Sequence, residues 1–240
     1  YAERAYRIAP EQFATISTLV EVCSAGRLTQ RIEDTLRKTL TLAQKEADFW
    51  LNAGDLFRSA LMLRGNIPGK TQLDRLNNLY RKALEIAPED ANCIERAADH
   101  FSLTAQYAEA CRFYERANTL FRAGTKDAVK TSLQVCQKWA RALVLNEQAD
   151  AAVELLEEVV REYPAAPQPR ELLGELQLQQ GELLSALSHF RIALDLDPAR
   201  LEDHVRVIQL QLRVKRAEDA VEVATRARAR FNDAPGLTML

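Results

Sequence analysis

The side chains best equipped for chemistry in this chain are three histidines, His100, His189 and His204, and four cysteines, Cys23, Cys93, Cys111 and Cys136. A metal site or a nucleophilic triad needs several such groups at spacings that turn them towards one point. No CxxC pair occurs, and no two histidines share a helix face at ligand or triad spacing. The cysteines read as buried free thiols, a usage that suits a reducing compartment. Glu171 and Glu175 stand four apart, where like charges on one helix face repel mildly and turn to water; Glu157 and Glu158 read the same way. "GELQLQQG" has glycines but no strand-to-helix setting for a phosphate cradle. Trp50 and Trp139 fall in helix-packing positions and read as core. These residues assemble no catalytic constellation and call for no metal or cofactor, so the chain reads as a non-enzyme.

The composition says what must position these groups. The chain has 240 residues, 47% hydrophobic and 28% charged, with glycine and proline at 8 each, a mixture that favours helix and a sizeable core over disorder. The formal charge of −2 offers no general field for phosphate. No apolar run reaches the roughly 20 residues of a membrane span, and the first residues lack a secretory pattern; a cytoplasmic location is expected. Within this helical composition one phrase returns: "YAERAYRIAP" at the start, "YRKALEIAPED" from Tyr80 and "HFRIALDLDPAR" from His189. Pro164 and Pro198 stand 34 residues apart, as do Ala152, Ala186 and Ala220, while Ala110 precedes Ala152 by 42. Loop or longer helix ends in "RAGTKDAV", Arg122 to Val129, absorb the surplus.

The clearest unit, "PQPRELLGELQLQQGELLSALSHFRIALDLDP", places Leu173 and Gly174 in a first helix, Gly181 at a turn, and Ala186, Phe190 and Ala193 in a second helix. This pattern resembles the tetratricopeptide repeat, which runs W-x₂-L-G-x₂-Y…A-x₃-F…P with a period of about 34 residues. The resemblance spans essentially the whole chain. The units are 13–46, 47–90, 91–124, 133–166, 167–200 and 201–234, with partial units at 1–12 and 235–240. The expected fold is all-α: a right-handed superhelical solenoid of antiparallel helix pairs forming one domain over 1–240. The second unit is ten residues too long, which predicts a protruding loop at Leu63–Thr71. Gly54, Ala98, Ala140, Gly174 and Ile208 mark where the two helices of a pair cross. A small side chain there lets the axes approach, so Ile208 should widen its crossing. Partial units at both ends imply a longer parent chain and exposed apolar ends prone to self-association.

The resemblance implies a function. In this family the first helices line a concave groove that holds a protein segment, through positions two, five, six and nine of each unit. Carried over, the candidate groove residues are Asn52 and Asp55; Asn92, Arg96 and Asp99, with Glu95; Gln134, Lys138 and Arg141, with Gln137; Glu171 and Glu175, with Gln168 and Leu172; and Arg206, Gln209 and Arg213, with Glu202 and Val205. Signs alternate along this lining, which favours a protein or peptide segment of mixed charge. The chaperone-terminus clamp of some members is not assembled: Ser17 and Glu21 replace its first Lys and Asn, Asn52 and Arg96 agree, and Asn92 replaces a later Lys. Nor is the asparagine ladder of the sugar-transferase relatives present, since its slots hold Thr18, Asn52, Arg96, Lys138, Leu172 and Arg206. The expected function is a non-catalytic scaffold for protein–protein interaction. The alternatives are an RNA-binding array using Lys138, Arg141, Arg206 and Arg213, which the acidic balance and Glu171 and Glu175 oppose, or a regulatory or targeting arm of an enzyme encoded beyond either end.

Overall fold

In the computed structural model, residues 1–123 and 128–231 are described, with nothing said of the side chains of Arg64 or residues 128–130. The middle of "RAGTKDAV" and the partial unit at 235–240 lie outside the described residues. Helices α1 (Ala2–Ile8), α2 (Phe13–Ala25), α3 (Thr29–Thr39), α4 (Ala47–Leu61), α5 (Lys70–Ile86), α6 (Ala91–Leu103), α7 (Tyr107–Arg122), α8 (Ala128–Leu145), α9 (Ala149–Glu162), α10 (Pro167–Gln179), α11 (Leu183–Leu196), α12 (Leu201–Arg213) and α13 (Ala217–Phe231) follow one another, with no strand among the described residues. Every unit but one begins where its first helix begins. The exception is the fourth, where α8 starts five residues ahead of Leu133 and so takes up part of the surplus.

The chain divides into two compact units, Tyr1–Val135 and Cys136–Leu240. In the first, α4 packs on α2, α5 and α6, and α6 pairs with α7; in the second, α10 pairs with α11 and touches α9, α11 meets α12, and α12 pairs with α13. None of the described helices is long and apolar enough to cross a membrane.

Each stop and turn has a local cause. The residue before proline is driven out of the helical region, so the second helices α1, α5, α9 and α11 end on Ala9, Ala87, Tyr163 and Asp197, each with φ between −139° and −123°. The third unit has no proline, and Ala123 after α7 stays helical at φ −76°. Between the two helices of a pair, the second residue past the first helix takes a left-handed conformation: Arg27, Ala105, Glu147, Gly181 and Lys215. The following amide then reaches back to the helix, as Leu28 N to Cys23 O and Gln106 N to Phe101 O, both at 2.8 Å. That bond satisfies a carbonyl the helix end would otherwise leave orphaned.

The second unit alone lacks this turn. There α4 runs on to Leu61, a 3-10 turn covers Leu63–Gly65 with Gly65 at φ +76°, and α5 opens at Lys70. The loop is therefore shorter than Leu63–Thr71, because Lys70 and Thr71 already belong to the helix. Asn66 Nδ2 donates to Leu61 O at 2.8 Å, and Gln72 Oε1 accepts from Gly69 N at 2.9 Å, closing the loop at both ends.

The crossings are as tight as their residues require. A Cβ added to Gly54 would lie 2.6 Å from the Tyr80 ring, and one on Gly174 would lie 2.8 Å from Phe190. In the sixth unit the volume has changed helices: Ile208 is buried on α12, and Ala224 stands at the position that Tyr80, Tyr114 and Phe190 hold in theirs. Trp50 is core, with Nε1 donating to Gln44 O at 3.3 Å and Lys82 Nζ 4.3 Å from its ring, whereas Trp139 is only half-buried. All four cysteines are buried and free.

Candidate functional site

The candidate residues lie on the first helices, but they do not form one open lining. On α4 and α6, Arg96 donates to Asn52 Oδ1 at 3.0 Å and to Asp55. Asp55 also accepts from the Tyr80 hydroxyl at 2.7 Å and pairs with Arg58 at 2.9 Å. Burial alone would raise this carboxyl, yet the hydrogen bonds from Arg96 and Tyr80, with the charges of Arg58 and Arg96, outweigh it and hold Asp55 below the usual carboxylate range. Asp99 accepts from the Tyr114 hydroxyl at 2.7 Å. Both aspartates are half-buried and clip the two helices of a pair together; Arg96 clips one pair to the previous one. Asn52 and Asn92 stay exposed.

The second unit, Cys136–Leu240, behaves differently. The ninth position of these repeats holds Arg141, Glu175 and Gln209, all exposed, and the position that Tyr80 and Tyr114 occupy in the earlier repeats holds Leu156, Phe190 and Ala224, none of which carries a hydroxyl. Arg206 is half-buried, with its guanidinium 3.7 Å from both Glu175 and Asp203 and 5.0 Å from the Phe190 ring. Glu171 meets Arg200 at 3.3 Å. Burial, with the nearby Asp203 charge, raises the Glu171 carboxyl above its ordinary value despite Arg200 and Arg206. Arg213 is exposed at the end of α12, and Lys138 is half-buried on α8. Gln134 is exposed on the stretch of α8 that belongs to the first unit.

Between α8 and α10 lies a notch of about 250 Å³ lined by Ala140, Val144, Leu145, Leu156, Leu172 and Leu176, with Arg141, Glu175 and Gln179 also at it. Its surface is mostly apolar, and Leu145 is 55% exposed, so an aliphatic side chain of a partner could bury area here that nothing in this unit covers. The notch is smaller than the roughly 300–1,000 Å³ of small-molecule sites, and it offers few polar groups to orient a cofactor. The family positions pointed to Arg141, Leu172 and Glu175. They missed Val144 and Leu145, whose trace in the sequence is the apolar run "ALVL" that ends α8, and Leu156 and Leu176, which lie on α9 and α10.

Two of the histidines have ring-nitrogen partners within the fold. His100 is buried, stacked 4.0 Å from Tyr80, with Nε2 2.7 Å from Asn77 Oδ1. Burial, then the Arg58 charge, pushes it down to about 3. His204 Nε2 lies 3.1 Å from Pro198 O. Among the described residues no three His, Cys, Asp or Glu side chains come together as metal ligands.

No family model and no curated protein matches the sequence. Solved structures do. MamA residues 41 to the end from Desulfovibrio magneticus RS-1 superposes with TM-score 0.53 at 18% identity, over 81% of this chain and 100% of that one. PilW, a widely conserved type IV pilus biogenesis factor, gives 0.56 at 15%, over 95% and 97%. Pseudomonas aeruginosa PilF gives 0.52 at 13%, over 99% and 97%. At such identities the likeness is one of fold, and with the repeat positions above it establishes that this chain folds as tetratricopeptide-like helix pairs.

Proposed function

We propose that the chain is a protein-interaction module whose recognition surface is the first-helix face of Cys136–Leu240. The observation that carries this is the apolar notch between α8 and α10, with Arg141 and Glu175 exposed beside it. An aliphatic side chain of a partner segment fills the notch, and residues beside that anchor meet one charge of each sign, so the segment is of mixed charge. In Tyr1–Val135 the matching aspartates are tied to tyrosines and contribute to packing instead. RNA is disfavoured because Arg206 already faces Glu175 and Asp203.

The test is capture of partners on the 240-residue chain, with and without nuclease. It is followed by calorimetry of an identified partner with wild type and with Arg141→Glu/Glu175→Lys, which keeps the net charge. Loss of about tenfold or more from this pair, with none from Arg161→Glu on α9, supports the reading. Nuclease-sensitive capture, or equal loss from both variants, overturns it.

A further inference from the structure

The loop of the second repeat, having replaced the common turn, opens a separate cleft of about 810 Å³ against the α2–α3 turn. Ile32 and Leu61, both buried, form its floor and Ala25 and Ala60 its sides. Leu63 and Ile67 line it from the loop, 51% and 87% exposed, and Leu28 beside it is 54% exposed. Contiguous exposed aliphatic surface around a concavity of this size is the signature of a contact site, since no packing need of the helices holds these side chains outward.

The polar atoms around the cleft are largely committed within the chain. Asn66 and Gln72 close the loop as described, and the Gln72 amide donates to Glu33 as well. Glu21 accepts from the Ser17 hydroxyl at 2.7 Å. The Arg27 and Leu28 amides bond to Ser24 O and Cys23 O. What is left is the aliphatic surface, the Ser24 and Thr29 hydroxyls, the Glu21 carboxylate that Ser17 partly satisfies, and one guanidinium: Arg27 lines the cleft, is exposed, sits at a left-handed turn with φ +57° and has no carboxylate partner among the described residues. Lys70, just past the loop, is exposed too.

From this charge pattern we propose that the cleft docks a segment of a partner protein that lays aliphatic side chains on Ile32, Leu61, Leu63 and Ile67 and brings a carboxylate to Arg27. The site is independent of the notch between α8 and α10.

Short random peptides displayed on phage are panned against the 240-residue chain, and enriched peptides are synthesised and titrated by fluorescence anisotropy. The expected peptides combine aliphatic residues with an acidic one. Leu63→Ser/Ile67→Ser weakens them about tenfold or more. Arg27→Glu does the same and regains affinity for a peptide whose acid is changed to lysine, while Arg141→Glu has no effect. Glutamate is compatible with that turn, because Glu147 occupies the matching position at φ +62°. Urea melts confirm that the variants are folded. The proposal is overturned if no enriched peptide depends on Leu63, Ile67 or Arg27, or if Arg141→Glu weakens binding equally. It is also overturned if sedimentation shows a wild-type dimer that Ile67→Ser dissociates, in which case a second copy is the occupant.

Discussion

Gly174 sits in mid-helix, where replacement by alanine ordinarily gains about 1 kcal/mol of helix propensity. Here the new methyl would lie 2.8 Å from the Phe190 ring, so the ring or the helix must move. Overpacking costs about 1–3 kcal/mol, and we expect Gly174→Ala to lose stability in urea melts, with partial recovery when Phe190→Leu is added. His100 gives a second test. It stays neutral in the fold down to about 3, whereas the unfolded chain takes up a proton below the ordinary 6.5. The unfolded state therefore binds more protons in that window, and stability falls as pH drops from 6.5 towards 3, by up to about 1.4 kcal/mol per pH unit. His100→Asn should flatten this part of a stability–pH curve. The crossing glycines were legible from sequence because their role is steric and their spacing fixed. The commitment of Asp55 and Asp99 was not: the family positions placed both on the open lining, and the tyrosine that ties each one lies on the other helix of its pair. The notch was not, since it needs α8, α9 and α10 brought together before Leu145, Leu156 and Leu176 become neighbours.

Helix boundaries followed from proline and from the recurring left-handed turn, both set by a few bonds of local backbone. The turn residues vary freely in type, because the conformation is imposed by the bond from the following amide to the helix end and not by the residue's own preference. Only Gly181 occupies it without a steric cost, which is roughly 1–2 kcal/mol for other residues, partly offset by glycine's greater freedom in the unfolded chain. Ala105→Gly is therefore expected to stabilise the chain by up to about 1 kcal/mol, whereas Gly181→Ala should destabilise it; paired thermal melts decide both. The extra length of the second repeat was visible as a count, but its division between an extended helix start at Lys70 and a tight 3-10 turn depends on hydrogen bonds that a count does not contain.

For the molecule as a whole, a formal charge of −2 and ion pairs of both signs along the first helices leave little field to collect counterions. Binding to a protein segment should accordingly weaken by less than about tenfold between 50 and 200 mM salt, against the roughly 10³–10⁵-fold loss of a protein making many phosphate contacts. Titration of the captured partner at two salt concentrations separates these outcomes, and a steep loss would return the arginines of α12 to the role of phosphate ligands.

Five of the six repeats are joined internally by a turn of invariant length, so adding or removing a residue there would rotate one helix against its mate. The second repeat escapes that constraint. Between Gly65 and Ile67 the exposed chain is expected to act as an expansion joint, lengthening without a change of register in α4 or α5. A foreign sequence spliced there would leave the helix pair assembled while covering the cleft beside it. The same place in the chain is where a longer natural variant could acquire a new appendage without rebuilding its core.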